Sequence, residues 1–180
     1  MKLISYRRPD ETESVGILRE DLGGALDLIR ALAIFSVAED ECMPMATDML
    51  DLICYGLVEV ELLKEVESFI GKHDLTEDLL DKDYTLLAPI ARPGAIYALG
   101  RNYPAHARES GLEPPKEPVY FGKAVTAVIG PEEPVVYKKW LTRVDPEAEL
   151  AVVISRKGSD ISEEDAPSYI AGYTCLNDVT

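Results

Sequence analysis

The sequence predicts a mixed α/β chain in two parts, a first half of strands followed by acidic helices and a second half in which strands dominate. Three observations predict it. Apolar residues recur at helical spacing in "ALDLIRALAIFSVAE", "ATDMLDLICYG" and "VEVELLKEVESFIGK". Period-two alternation marks "KLISYRR" and "SVGILRE" near the start and "VDPEAELAVVI" and "YIAGYTCLNDVT" near the end. Between the two regimes, Pro89 and Pro93-Gly94 break the chain. We therefore expect a small N-terminal α+β domain over residues 1–85 and a second domain over residues 86–180.

In order along the chain, the first two strands are expected to pair across the polar turn from Pro9 to Glu13. Gly23 and Gly24 act as breakers before the first helix, which the apolar spacing starts at Ala25. In the second helix Met45, Met49, Leu52 and Ile53 share one side as core packing, and Gly56 is a stop signal. The third helix begins at Val58, although its first four residues alternate like a strand. Beyond the boundary, Ala95 to Leu99 is an apolar strand that Gly100 ends, and "VYFGKAV" is another. The sequence carries no internal repeat, low-complexity tract or phosphate-binding glycine pattern.

Composition bounds the function. With 180 residues and 47% hydrophobic content the chain can bury a real core. No apolar run is long enough to span a bilayer, so no membrane partner is expected. The start, "MKLISYRRPD", lacks the apolar segment and cleavage site of a secretory signal, and we expect a cytoplasmic protein. Cys42, Cys54 and Cys175 fit reduced thiols better than a disulfide framework, with Cys175 expected as inert packing. A net charge of −15 argues against nucleic acid, whose phosphates call for a surplus of Lys and Arg.

Two constellations stand out. In "RNYPAHARESG", His106 and Glu109 are three apart, so a helix there puts them on one face. A carboxylate beside an imidazole raises its proton affinity and orients it as a general base, while the plainer alternative is an exposed surface pair. In "VDPEAELAVVI", Glu147 and Glu149 share a strand face and repel unless water, a proton or a cation separates them. With Asp178, at the end of the next strand, they offer three hard oxygen ligands suited to Mg2+ or Mn2+. The plainer readings are a solvated outer strand face and a turn-forming acid. His73 reads as a solvated residue, Tyr137 and Trp140 as packing or pocket lining, and Lys123 as a cation after an apolar strand.

The ordered series "ALGRNYPAHARESG", "PVYFGKAVTAVIGP", "VDPEAELAVVI" and "YIAGYTCLNDVT" resembles the fumarylacetoacetate hydrolase family, continuously from about Leu87 to Thr180. The resemblance implies a β-rich mixed α/β roll around a metal pocket, preceded by a smaller α+β N-terminal domain. It implies a divalent cation, Mg2+ or Mn2+ with Ca2+ able to stand in, held by Glu147, Glu149 and Asp178. It implies a water-activating dyad of His106 and Glu109, a catalytic Lys123, and Arg101 beside Gly100 as a holder of a substrate carboxylate. The family commonly has proline where this chain has Ala124. The implied activity is hydrolysis of the carbon–carbon bond of an acylpyruvate-like 2-oxo acid by a homodimer. The same chemistry serves decarboxylation, isomerisation or hydration of related acids, and a non-catalytic binding or oligomerisation module is the reading of another class. Family members continue well beyond the position of Thr180, so a longer polypeptide is expected.

Overall fold

The computed structural model describes residues 1–109, 111, 113 and 115–180, with the side chains of His106, Ala107 and Glu109 outside the description. The chain forms two units, one of Met1–Pro89 with Gly130–Thr180 and the other of Ile90–Ile129.

In the first unit, strands β1 (Leu3–Arg7), β2 (Glu13–Arg19) and β3 (Gly24–Asp27) form an antiparallel meander. Two short strands, β4 (Leu80–Asp81) and β5 (Thr85–Leu86), complete a sheet of order β4-β3-β2-β1-β5. The β1–β2 pair is the one the alternation predicts, with Tyr6 opposite Ser14 and Arg7 opposite Glu13. Between the third and fourth strands run helices α1 (Leu28–Ala38), α2 (Met49–Cys54), α3 (Val60–Lys72) and the single turn α4 (Thr76–Leu79).

Each helix start has a local cause. Asp27 caps α1 by accepting the Arg30 N–H at 3.1 Å, and Asp48 caps α2 by accepting from Asp51 at 2.8 Å. Gly56 follows α2 at φ +72°, the left-handed conformation that glycine adopts without a Cβ penalty. Every third or fourth residue of α3, from Leu63 through Val66 to Phe69 and Ile70, is buried. Phe35 of α1 meets Phe69 of α3 edge-on at 5.4 Å, joining the two helices, and the sheet buries Val15, Ile17 and Leu26 on one face and Tyr6 on the other.

Three expectations are corrected here. The first helix starts at Leu28 and not Ala25, because Ala25 to Asp27 belong to β3 and Asp27 is the cap. The third helix starts at Val60, with Glu59 extended before it. Met45 lies outside α2 and is exposed, so of the two spaced methionines Met49 alone packs in the core.

Gly23 and Gly24 divide the breaker role. Gly23 turns the chain at φ +66°, whereas Gly24 is already in β3. A Cβ on Gly24 would stand 2.7 Å from the Asp81 carbonyl oxygen and 2.9 Å from Leu80 Cδ1, so β4 approaches because the side chain is absent. Gly24→Ala is accordingly expected to destabilise the unit by about 1–3 kcal/mol, the usual cost of forcing extra bulk into a packed contact, read from the urea midpoint. An unchanged midpoint would show that β4 yields freely.

The first unit also contains β8 (Ala148–Ile154) and β9 (Ile170–Asn177), an antiparallel pair with an irregularity at Val153/Ile154. The second unit contains β6 (Ile96–Gly100) and β7 (Val119–Lys123), also antiparallel, with α5 (Pro104–Glu109) between them. The fold is thus mixed α/β with antiparallel sheets. Among the described residues no helix is long and apolar enough to cross a membrane.

Candidate metal centre

The β8–β9 register decides where the acids lie. Ala148 pairs with Asn177 and Glu149 with Leu176. The ladder runs on past the assigned strands, for the Asp178 N–H donates to the Glu147 carbonyl at 2.8 Å, and Asp145 and Thr180 exchange both bonds at 2.8 and 3.1 Å. Directly opposed residues in an antiparallel pair project to the same side. Glu147, Glu149 and Asp178 therefore share one face, the first and last directly across from each other and Glu149 two positions along.

That face is the more covered one. Glu147, Glu149, Ala151, Val153 and Asp178 are all half-buried. The alternate face carries Leu150, Val152 and Ile154 of β8 with Tyr173 and Cys175 of β9, and these are exposed, Leu150 at 59%, Ile154 at 61% and Tyr173 at 63%. Two expectations change as a result. The acids do not sit on a solvated outer face, and Cys175 is exposed, paired with the exposed Leu150. A shallow groove bordered by Pro146, Ala148, Cys175, Leu176 and Asn177 runs along this end of the ladder.

The donor set suits a hard divalent cation: carboxylates on one strand face, with room for water as further ligands. Among the described residues no three His, Cys, Asp or Glu side chains are gathered closely enough to hold a metal ion. The register thus aligns the three acids without drawing their carboxylates together. Next to them, Arg143 pairs with Asp145 at 2.7 Å, and this bond holds the exposed guanidinium still more firmly in its charged form.

The remaining candidates lie in the second unit. Gly100 pairs with Val119 and Ile96 with Lys123, so Arg101 and Lys123 stand at opposite ends of the β6–β7 ladder. Arg101 follows Ile96, the partner of Lys123, by five positions, roughly 16 Å at the usual strand rise, so the ladder does not bring these two together. Lys123 is half-buried with its ammonium 5.6 Å from the ring centre of Phe121, its neighbour on the same strand face. Arg101 adopts φ +55°, an uncommon conformation for a bulky residue, in the step from Gly100 to α5. His106 and Glu109 fall on α5, one turn apart as the spacing requires, while their side chains lie outside the described residues. Tyr137 and Trp140, expected to pack or to line a pocket, are exposed and so do not pack in a core; the Tyr137 hydroxyl donates to the Leu141 carbonyl at 2.8 Å.

Sequence reasoning missed the part played by Asn177. Its carboxamide oxygen accepts the Glu147 N–H at 3.1 Å, tying the end of β9 to the first acid. An asparagine at a strand end reads equally well as a turn former, so only the register reveals it.

Residues 95–180 match the family model described as the C-terminal part of fumarylacetoacetate hydrolase. Over its full length the chain is 32% identical to the mitochondrial oxaloacetate tautomerase of Xenopus laevis, of which it covers 52%. A probable 2-hydroxyhepta-2,4-diene-1,7-dioate isomerase from Mycobacterium abscessus superposes with a TM-score of 0.61 at 27% identity, over 100% of this chain and 52% of that one. The maleylpyruvate hydrolase of Sphingobium, solved with manganese(II) and pyruvate, superposes with a TM-score of 0.63 over 100% of this chain and 59% of that one. At 23% identity that last likeness is one of fold. The chain spans about half the length of these relatives. With its match carried by residues 95–180, the chain belongs to the fumarylacetoacetate hydrolase family.

Proposed function

We propose that this chain is the metal-holding part of an enzyme acting on 2-oxo acids, most concretely in hydrolysing the carbon–carbon bond of an acylpyruvate. The observation that carries the reading is the placement of Glu147, Glu149 and Asp178 on the half-buried face of the β8–β9 ladder while aliphatic side chains face outward. A soluble strand pair with no ligand to hold gains nothing from that inversion, since covering like charges costs free energy. The proposal includes residues 86–180 as the first part of a β-rich catalytic roll and residues 1–85 as its smaller companion domain.

In this reading the three acids hold Mg2+ or Mn2+, with Ca2+ able to replace them. Such a cation, when bound, supplies a Lewis acid that stabilises negative charge developing on the oxygen of a 2-oxo acid. Arg101 pairs with a substrate carboxylate and Lys123 supplies a second positive charge. His106, oriented by Glu109, takes a proton from water, whose oxygen bonds to the distal carbonyl carbon. The carbon–carbon bond then breaks, its electron pair stays with the three-carbon fragment, and that fragment takes a proton and leaves as pyruvate.

A second reading is oxaloacetate tautomerisation, favoured by the full-length likeness to the Xenopus tautomerase. It needs only a residue that moves a proton between carbon and oxygen, with no attacking water. The cytoplasmic location and the homodimer belong to the same proposal, although the Xenopus relative carries a mitochondrial name.

The test is an assay with Mn2+ against acylpyruvates and against the enol of oxaloacetate. Release of pyruvate from the first supports hydrolysis; accelerated ketonisation of the second, without pyruvate release, supports tautomerisation. His106→Ala is expected to lower the active reaction by about 10²-fold or more, the scale of a positioned base, while Mn2+ affinity is retained. If His106→Ala turns over at the parental rate, the dyad is not the base.

A further inference from the structure

We propose that Asn177 is a positioning residue for the metal-holding acids and acts through the main chain of Glu147; the inference rests on the metal reading above. Asn177 pairs with Ala148, so its Cβ lies on the face opposite to Glu147, Glu149 and Asp178. From there its carboxamide oxygen accepts the Glu147 N–H at 3.1 Å. The other side of the same residue is held by the Asp178 N–H, which donates to the Glu147 carbonyl at 2.8 Å.

Comparison with the rung beyond shows what is unusual. At Asp145 and Thr180 both bonds are main chain to main chain. At Glu147 the N–H bond goes to a side chain, and that side chain immediately precedes the opposing acid. Two consecutive residues of the far strand thus clamp the main chain of one acid, one of them being a second acid. The clamp reaches Glu147 from behind and takes up no space on the acid face.

Placement of this kind matters for a hard cation. Mg2+ asks for oxygen ligands at about 2.0–2.1 Å in near-octahedral array, so a carboxylate whose backbone drifts loses its share of the bond. Groups that orient metal ligands typically change affinity by about 10–100-fold when removed.

The experiment uses the whole 180-residue chain and Mn2+ alone as probe, with binding read by calorimetry or by the paramagnetic signal of free Mn2+. Asn177→Ala removes the acceptor without adding bulk, and Asn177→Ser keeps an oxygen that can accept the same N–H. The expected result is Mn2+ affinity about 10–100-fold weaker in Asn177→Ala, recovered largely in Asn177→Ser, with metal-free thermal midpoints close to the parent. Faster hydrogen exchange at the Glu147 amide should accompany the loss. Affinity in Asn177→Ala within twofold of the parent would overturn the proposal and leave the metal reading standing, provided Glu149→Ala abolishes binding in parallel. Equal weakening in both Asn177 variants would also overturn it, since the acceptor would not be what matters. A parent chain that takes up no Mn2+ would overturn both readings together.

Discussion

Glu149→Ala is expected to lose Mn2+ binding by more than about 100-fold, beyond the range seen when only an orienting group is removed. Glu149 lies within β8 opposite Leu176, in a regular stretch of ladder that main-chain bonds hold without its side chain. Glu147, by contrast, has both its N–H and its carbonyl engaged at the ladder end, so a change there risks moving the main chain as well. Truncating Glu149 therefore removes a ligand and little else. It also removes one of three like charges from a half-buried face, so the metal-free thermal midpoint should stay level or rise slightly. Calorimetric titration with Mn2+ reads the first effect and thermal unfolding the second. Unchanged Mn2+ affinity in the mutant would sink the metal assignment. Titration with oxalate, a mimic of the pyruvate enolate, adds an arm: a non-catalytic module should show no oxalate binding that depends on Mg2+.

The acid face was legible because strand parity is a strict rule. Glu147 and Glu149 are two apart, and a strand without a bulge between them puts both on one face. Asp178 joined them only through the β8–β9 register, which fixes which residue lies across from Glu147. Parity gives two faces without saying which one is covered, and here intuition misleads, for Leu150, Val152 and Ile154 face outward. Burial of a sheet face depends on what packs against it, which alternation along one strand does not encode. Cys175 was misjudged for the same reason, being on the Leu150 side.

In the first unit the hairpin and the three main helices were legible from periodicity and turn chemistry, while β3, β4 and β5 were not. Those strands are four, two and two residues long, too short to show alternation. β3 also runs straight into α1, so its Ala25 and Leu26 blend into the helical apolar pattern. The cue that separates them is Asp27, an acid just before the periodic residues of α1, which is the signature of a helix cap.

Asp27→Ala is expected to cost the first unit about 3 kcal/mol or more, a large share of the stability of a small domain. Asp27 is only 1% exposed, yet it carries a charge at the junction of β3 and α1. Its carboxylate accepts the Arg30 N–H at 3.1 Å, accepts the Ser14 hydroxyl at 2.9 Å, and pairs with Arg8. Arg8 reaches on to Asp81 at 2.8 Å, and the Tyr6 hydroxyl donates to Asp81 at 2.6 Å, so the network ties β1, β2, β3 and β4 beneath the start of α1. Removing the carboxylate loses the cap, worth about 1 kcal/mol, and strands the buried Ser14 hydroxyl and one side of the Arg8 guanidinium. Arg8 keeps Asp81, which holds the loss near the lower end of what breaking a buried ion pair costs. Asp27→Asn preserves a capping oxygen while removing the charge, so its urea midpoint should fall between those of the parent and Asp27→Ala. The same network predicts an alkaline limit. Burial, helped by the bond to Asp81, pushes the Tyr6 phenol well above its usual range. A group whose folded pKa is raised contributes stability that is complete below its unfolded pKa, about 10 for tyrosine, and is lost as pH climbs beyond it. Stability of the parent should therefore decline above about pH 10, and Tyr6→Phe should flatten that part of the decline. An Asp27→Ala midpoint equal to the parent's would show that solvent, and not the buried pair, satisfies Arg8.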